Sequence, residues 1–200
     1  MRKFSIRLAL LAVFLPSLLT GCNTTKGVGH INPEFEGHRL SDVAVYVDNL
    51  GEIGDAFEVS IVEQLKARGV QARSVRSIAR FAKTQDEFVR KVWALGVNDA
   101  VVVAISDSRG TTVAGYQSWG QASSTGNITN MTVTTTPMLS VSRTMLTTSR
   151  IFSNKGDKLW EATTERSAQG LAFTTDGLTI SETTKALMQS LQKDGLIAVR

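Results

Sequence analysis

Two short segments of this chain are apolar on both faces, and they limit the possible folds more than any other feature. In VAVYVDN, residues 43–49, three valines alternate with Ala44 and Tyr46. Residues 99–106, DAVVVAIS, are more apolar still. A strand of this kind suits the interior of a sheet that is covered on both sides. The chain is therefore expected to form a layered α/β domain.

Amphipathic helices are predicted between these two segments. In residues 55–68 apolar side chains recur every four positions, and Gly69 is expected to end that helix. A second strand follows at residues 70–75, and a capping box that begins at Thr84 opens a helix that runs to Gly96. The order β-α-β-α-β favours parallel pairing with right-handed crossovers.

The second half of the chain has a different composition. Residues 107–150 are rich in Thr, Ser and Gly and have almost no acidic residues after Asp107, so they predict β structure. Residues 153–158, SNKGDK, predict a turn, and a second capping box at Thr179 predicts a last helix over 179–193. The predicted fold class is α/β: a mixed sheet with a β-α-β-α-β start, followed by antiparallel strands and a C-terminal helix.

The N-terminus predicts a bacterial lipoprotein signal. A basic start precedes an apolar run at residues 8–19, which is too short to span a bilayer as a helix. Leu19-Thr20-Gly21-Cys22 resembles a lipobox, which implies cleavage before Cys22 and acylation of its thiol. The alternative is an ordinary signal followed by a free thiol. Cys22 is the only cysteine, so a disulfide within the chain is excluded.

These features predict three regions. Residues 1–21 are a signal peptide, residues 22–41 hold the acylated cysteine and a flexible tether, and residues 42–200 form a single periplasmic α/β domain. In lipoproteins of this class, Asn23 rather than aspartate at the second mature position implies sorting to the outer membrane. Without the signal, the chain has 19 basic and 18 acidic side chains, so a basic surface for nucleic acid is not expected.

Side chains that could support catalysis or metal binding are sparse. His30 and His38 fall in the expected tether, where solvated linker residues are a better interpretation than a metal site. No nucleophile elbow, P-loop or dinucleotide fingerprint is present, so neither catalysis nor a cofactor is expected. Asp48, Glu52 and Asp55 lie near the end of the first predicted strand. They are candidate ligand-binding residues, although a turn and a helix N-terminus explain them as well.

The second half offers a candidate contact surface. Tyr116 and Trp119 fall beside glycines in a polar segment, and aromatic residues of these types are favoured at protein interfaces. Core packing at a sheet end is the alternative. The threonine-rich segment could also be a membrane-inserting hairpin, but residues 134–136 carry no apolar face, so a solvated hairpin is expected.

The order of these elements resembles periplasmic lipoproteins with a fold like the TolB amino-terminal domain. This group includes the penicillin-binding-protein activator LpoB and the core of the curli secretion protein CsgG. The matching positions are the helix end at Gly96 and Asp99, and the turn at Gly156 that leads to Leu159 and Trp160. The resemblance covers about residues 42–195. Two features differ: the tether is short, and no long amphipathic insertion is recognised in the sequence.

The resemblance implies a non-catalytic module that docks envelope proteins or assembles into rings. We therefore expect an outer-membrane lipoprotein that faces the periplasm and is anchored through acylated Cys22. Its expected role is that of an assembly or accessory factor for envelope proteins, with homo-oligomerisation as an option. The alternative function is a periplasmic module that binds or senses a small ligand near Asp48, Glu52 and Asp55.

Overall fold

The structure is a computed structural model that describes residues 23–48, 51–125 and 128–198. Side chains are described throughout these ranges except at residues 123–125 and 128–130. The predicted signal peptide and Cys22 lie outside the described residues. None of the helices in the described ranges is long and apolar enough to cross a membrane.

Six strands and four helices make up the described part of the chain. The strands are β1 (Asn23–Ile31), β2 (Asp42–Asp48), β3 (Gln71–Ser74), β4 (Asp99–Thr125), β5 (Ile128–Ser153) and β6 (Lys158–Gln169). The helices are α1 (Glu52–Ala67), α2 (Arg76–Phe81), α3 (Gln85–Trp93) and α4 (Asp176–Lys193), and a short 3-10 turn covers Pro33–Phe35.

The strands form one mixed sheet in the order β1-β6-β5-β4-β2-β3. Strand β2 is parallel to both β3 and β4, while β4, β5, β6 and β1 pair antiparallel in succession. The predicted class, a parallel start followed by antiparallel strands and a C-terminal helix, is confirmed. The parallel part arises because α1 and the α2–α3 pair carry the chain back between strands.

The main core lies between one face of the sheet and helices α1 and α4, and this face is called the α1/α4 face below. Alternate residues of the central strands, such as Val45 and Val103, meet Phe57 of α1 and Leu187 of α4. Trp160 of β6 is almost fully buried in the same core. The alternation of side chains in β2 and β4 sends the other residues to the opposite face.

A smaller core lies on that opposite face, called the α2/α3 face. Ala44 and Ala100 of the sheet pack there with Val92 of α3, and Tyr46 and Phe88 are partly buried beside them. Only the two short helices cover this face, so its β5 and β6 part remains open. The sequence did not indicate α2, which is six residues long and therefore too short to show a helical period.

The segment expected to be a tether is part of the sheet. Strand β1 runs antiparallel to β6 along its whole length, from Asn23 opposite Ala168 to Ile31 opposite Trp160. The composition of this segment does not indicate a strand, because a residue with low β propensity is needed at Gly29. Gly29 lies directly against the Trp160 ring, where any Cβ would collide. Close packing against a large partner, rather than β propensity, therefore places this strand.

The two predicted capping boxes have different outcomes. At α3, Thr84 Oγ1 accepts from the N–H of Glu87 at 3.1 Å, and Glu87 Oε2 accepts from the N–H of Lys83 at 2.9 Å, so this helix start is confirmed. The start predicted at Thr179 is wrong, because α4 begins at Asp176. Thr179 lies in the first turns of the helix, and its Oγ1 accepts from buried Arg166 instead.

Candidate functional site

A long two-stranded arm is the most prominent surface feature of the described chain. Strand β4 pairs with β2 only as far as Ala104, and β5 joins β6 only from Ser142. Between these limits β4 and β5 pair only with each other, up to the pair Thr125 and Ile128. We call residues 110–141 the arm. It projects from the sheet by about 50 Å at the usual rise of an antiparallel strand.

The arm carries no charge. From Gly110 to Ser142 the sequence contains no Asp, Glu, Lys, Arg or His. Its side chains are described up to Ala122 and again from Met131, and nearly all of them are exposed. A stretch of this length that is exposed and uncharged is unusual for a surface that faces only water.

A β-bulge gives the arm two different faces. The register of β4 shifts between Val113 and Gly115, so Ala114 is the extra residue. Before the bulge odd residues of β4 lie on the α1/α4 face, and beyond it even residues do, because β5 continues without a break. The apolar face of the arm therefore continues the α1/α4 face. Its apolar members are Val113, Tyr116, Ala122, Met131, Val133, Pro137, Leu139 and Val141.

The two aromatic candidates lie on opposite faces of the arm. Tyr116 is 70% exposed on the apolar face, where it stands opposite Pro137. Trp119 is 63% exposed on the other face, opposite Thr134 and among glutamines and threonines. The structure brings both to the surface, so the alternative of core packing is wrong for each. They do not form one patch, because an odd and an even position in a regular strand point in opposite directions.

The long amphipathic insertion that the sequence did not indicate is present in this arm. The sequence of β4 does not show a regular alternation of apolar and polar residues, because the bulge between Val113 and Tyr116 moves the apolar face from odd to even positions. On β5 the phase is continuous, and Met131, Val133 and Leu139 share a face although Thr135 interrupts them. Ser118 and Thr135 satisfy each other on this face with a hydroxyl hydrogen bond of 3.1 Å.

A buried arginine fixes the root of the arm to the domain. The guanidinium of Arg143 donates to both carboxylate oxygens of Asp107, at 2.7 and 2.8 Å, and to Asp176 at 2.7 Å. Burial alone lowers the pKa of Arg143, but the hydrogen bonds and negative charges of Asp107 and Asp176 together outweigh burial and hold that pKa above its ordinary value. Arg109 also pairs with Asp176. The arm is thereby tied to the first turn of α4.

Sequence reasoning did not identify this cluster. Its signal is visible in retrospect: Arg109 and Arg143 are the last charged residues on either side of the uncharged stretch, and β4 and β5 place them directly opposite each other. Like charges in such positions repel unless carboxylates lie between them. Asp107 and Asp176 fill that role, and Asp176 comes from a helix more than 30 residues away in sequence.

The three acidic candidates do not form a common site. Asp55 pairs with Arg76 at 2.7 Å and with Arg80 at 2.9 Å, so it binds α2 to α1. Glu52 is exposed in the first turn of α1, where a negative charge is favourable. Of the three, only Asp48 lines a cleft. The explanation as turn and helix-start residues therefore fits Glu52 and Asp55 better than ligand binding.

The cleft beside Asp48 lies between α3 and the α2/α3 face of the sheet. It has a volume of about 750 Å³ and is mainly apolar, with aromatic walls from Tyr46, Phe88, Trp93 and Phe152. The rings of Tyr46 and Phe88 are tilted against each other, with centroids 5.0 Å apart. Burial, followed by the nearby Asp48 charge, raises the pKa of Tyr46. The cleft is large enough for a small organic molecule.

The two histidines do not share a site. His38 Nε2 lies 3.0 Å from Oδ2 of Asp99, whose side chain is 2% exposed at the start of β4. The expectation of a solvated linker is thus wrong for His38, while His30 is exposed on β1. Burial raises the pKa of Asp99, and the His38 hydrogen bond opposes that rise. Within the described ranges, no three His, Cys, Asp or Glu side chains are grouped so that they could hold a metal ion.

No protein-family model and no curated protein matches the chain. Among solved structures, similarity is found to PelC from Paraburkholderia phytofirmans, a dodecamer, at 15% identity over 86% of this chain and 99% of that chain, with a TM-score of 0.48. A variant of the same protein gives 17% identity over 89% and 100%, with a TM-score of 0.47. A PDZ-domain protein from Parabacteroides distasonis gives 10% identity and a TM-score of 0.32, and the match covers 91% of this chain but only 38% of that protein. With TM-scores below 0.5, these similarities carry no argument about function.

Proposed function

We propose that this chain is a non-catalytic lipoprotein of the bacterial outer membrane, anchored through acylated Cys22, that acts as an assembly or accessory factor for envelope proteins. The observation that carries the docking role is the arm, residues 110–141, which projects from the domain without a charged residue and exposes Tyr116 and Trp119. An exposed apolar patch on a soluble domain marks a contact surface. Aromatic residues of these types carry most of the binding energy in such contacts.

The non-catalytic part of the proposal rests on the sequence, in which none of the familiar nucleophile, phosphate or dinucleotide motifs occurs. The acidic residues support the same view through what they do in the fold. Glu58 accepts from the N–H of Val47 at 2.9 Å and from the hydroxyl of Ser74, and Asp55 holds two arginines. Carboxylates engaged in this way stabilise helix packing and are poorly placed to move protons on a substrate.

The docking role is tested by photo-crosslinking in the cell. A photoreactive phenylalanine analogue is placed at Tyr116 or at Trp119, with the exposed Phe81 on α2 as the matched control. We expect an envelope protein to be crosslinked from the arm positions and not from Phe81. Adducts from Phe81 alone, or none from the arm, would contradict the docking role.

The anchor is tested by Cys22→Ala. This variant is expected to incorporate no labelled palmitate and to leave the membrane fraction, because the thiol that carries the lipid is gone. A chain with Thr24→Ala serves as the control, since it changes a neighbouring residue and keeps the thiol. A membrane fraction of Cys22→Ala equal to that of the control would exclude anchoring at this residue.

A second candidate function is the binding of a small ligand in the cleft under α3. The observation that favours it is the mainly apolar volume of about 750 Å³ beside Asp48. A ligand that binds there is expected to raise the Tm of the protein and to lose this effect in Val102→Trp, which fills the cleft. If no compound of a small amphiphile panel shifts the Tm, this candidate fails and the docking role is unaffected.

A further inference from the structure

The arm has two free strand edges. Over residues 110–140, β4 and β5 each have one neighbouring strand, so one side of each strand presents unpaired N–H and C=O groups. Such an edge is a template for pairing with another strand, and proteins normally protect it with charged residues, proline or a bulge. The two edges of this arm differ in how they are protected.

The edge of β5 is interrupted by Pro137. The carbonyl of Val141 accepts from the N–H of Gly170 at the end of β6, so Val141 directs its backbone groups away from β4. The N–H and C=O groups of successive residues point to opposite edges of a strand, so the backbone of Pro137, four residues earlier, also points away from β4. Because proline has no N–H, the outer edge of β5 lacks a donor at its centre.

The edge of β4 has no such protection beyond the bulge. From Gly115 to Thr125 the strand has no proline, no charged residue and no further register shift. These 11 residues form a regular edge of about 35 Å. Ser118 directs its backbone outward, because it stands opposite Thr135, which has the same outward direction as Pro137.

We propose that this edge of β4 pairs with the same edge of a second copy of the chain, antiparallel and about a two-fold axis near Gly120. The proposal rests on the docking function above and names one partner of the arm. The result is a four-stranded sheet in the order β5-β4-β4-β5. A pairing of 11 residues would form about ten backbone hydrogen bonds, the number found in a standard protein interface.

The absence of charge favours a second copy over a different protein. In a two-fold contact the residue on the axis faces its own equivalent and its chain neighbours lie diagonal to theirs, so a charged residue close to the axis would lie near a like charge. A partner with another sequence could offer complementary charges, and it would not require an arm free of them. The uncharged stretch from 110 to 142 meets the condition that self-pairing sets.

Lipid is a poorer occupant for this edge. Hydrocarbon would cover the apolar side chains of Met131 and Val133, but it would leave the N–H and C=O groups of both edges without partners. The polar face with Gln117 and Gln121 would also be desolvated. Pairing of two copies satisfies the β4 edge in water and doubles the apolar face, because a two-fold axis perpendicular to the sheet keeps both apolar faces on one side.

Two matched variants test the proposal in the detergent-extracted full-length protein. Ser118→Pro and Thr135→Pro remove the same side-chain hydrogen bond and one outward N–H each, on β4 and on β5 respectively. Light scattering is expected to show a dimer for the unchanged protein and for Thr135→Pro. For Ser118→Pro the dissociation constant of the dimer is expected to be at least tenfold higher than for the unchanged protein. Circular dichroism checks that both variants remain folded.

A cysteine scan locates the axis independently of these variants. Single substitutions Ser118→Cys, Gly120→Cys and Ala122→Cys are expected to give disulfide dimers most readily at the position nearest the axis, whereas Thr135→Cys is expected to give none. A monomer, equal effects of the two proline variants, or a larger ring with crosslinks between β4 and β5 would overturn the proposal. The photo-crosslinking result separates the two ideas, since an envelope partner with a monomeric protein leaves the docking function intact.

Discussion

Arg143 and Asp107 are joined by two parallel hydrogen bonds at the root of the arm, from Nε to Oδ1 at 2.7 Å and from Nη2 to Oδ2 at 2.8 Å. Arg143 is fully buried and also holds Asp176 of α4. A fork of this kind fixes both the distance and the plane of the two groups. Arg143 therefore ties the root of the arm to α4.

Arg143→Ala is expected to lower the free energy of unfolding by about 2–4 kcal/mol, because Asp107 and Asp176 then lose their buried partner and keep only the half-exposed Arg109. Denaturant unfolding measures the change in the free energy of unfolding. Hydrogen exchange of the backbone amides at the arm root should also become faster. Arg150→Ala on the same strand is the control, since Arg150 and its partner Glu161 are both partly exposed and water screens such a pair, so that it contributes little to stability. Equal losses in the two variants would contradict a special role for Arg143.

Acid is expected to weaken the arm root through Asp176. Burial raises the pKa of this carboxyl, but the hydrogen bonds and positive charges of Arg143 and Arg109 together outweigh burial, so the pKa lies below its ordinary value. The stabilisation is therefore present above the unfolded-state value of about 3.9 and is lost as pH falls through the lower folded-state pKa. The Tm measured from pH 5 downward should fall more steeply in the unchanged protein than in Asp176→Asn. Identical slopes of Tm against pH in the two proteins would show that Asp176 does not contribute to stability.

His38→Ala is expected to lower the free energy of unfolding by about 1–3 kcal/mol near neutral pH, because the buried Oδ2 of Asp99 then loses its hydrogen-bond donor. His30→Ala is the matched control and should be nearly neutral, since His30 is exposed. Adding Asp99→Asn to His38→Ala should recover part of the loss, because the buried charge is removed together with its partner. Chemical denaturation of the unchanged protein, these three variants and Asp99→Asn alone gives the comparison, and additive losses for His38→Ala and Asp99→Asn would refute the coupling.

Gly29→Ala tests whether β1 belongs to the folded domain. A Cβ at this position would meet the Trp160 ring and Asp194 within 3 Å, so we expect a loss of about 1–3 kcal/mol from overpacking. Trp160 fluorescence should change at the same time, because its Nε1 donates to Asp194 at 2.6 Å. Gly115→Ala, which meets open space, should have little effect. An unchanged Gly29→Ala protein would indicate that β1 is not docked.

Much of the local structure could be predicted because it depends on neighbours in the sequence. The capping box at Thr84 forms within one helical turn, and the turn at Gly156 needs only a residue that adopts a positive φ, here 89°. The same sequence pattern at Thr179 does not mark the start of a helix, because Thr179 lies inside α4. There the hydroxyl has a stronger tertiary partner, the buried guanidinium of Arg166.

By itself, the sequence determined the α/β class, because strands that are apolar on both faces, at 43–48 and 99–106, require cover on both sides of a sheet. Only the tertiary structure decided how the arm presents its surface. The bulge at Ala114 exchanges the faces of β4, so that Tyr116 rather than Trp119 joins the apolar side. Which residue becomes the extra one depends on the register with β5, and that register is set by contacts between strands rather than by the local sequence.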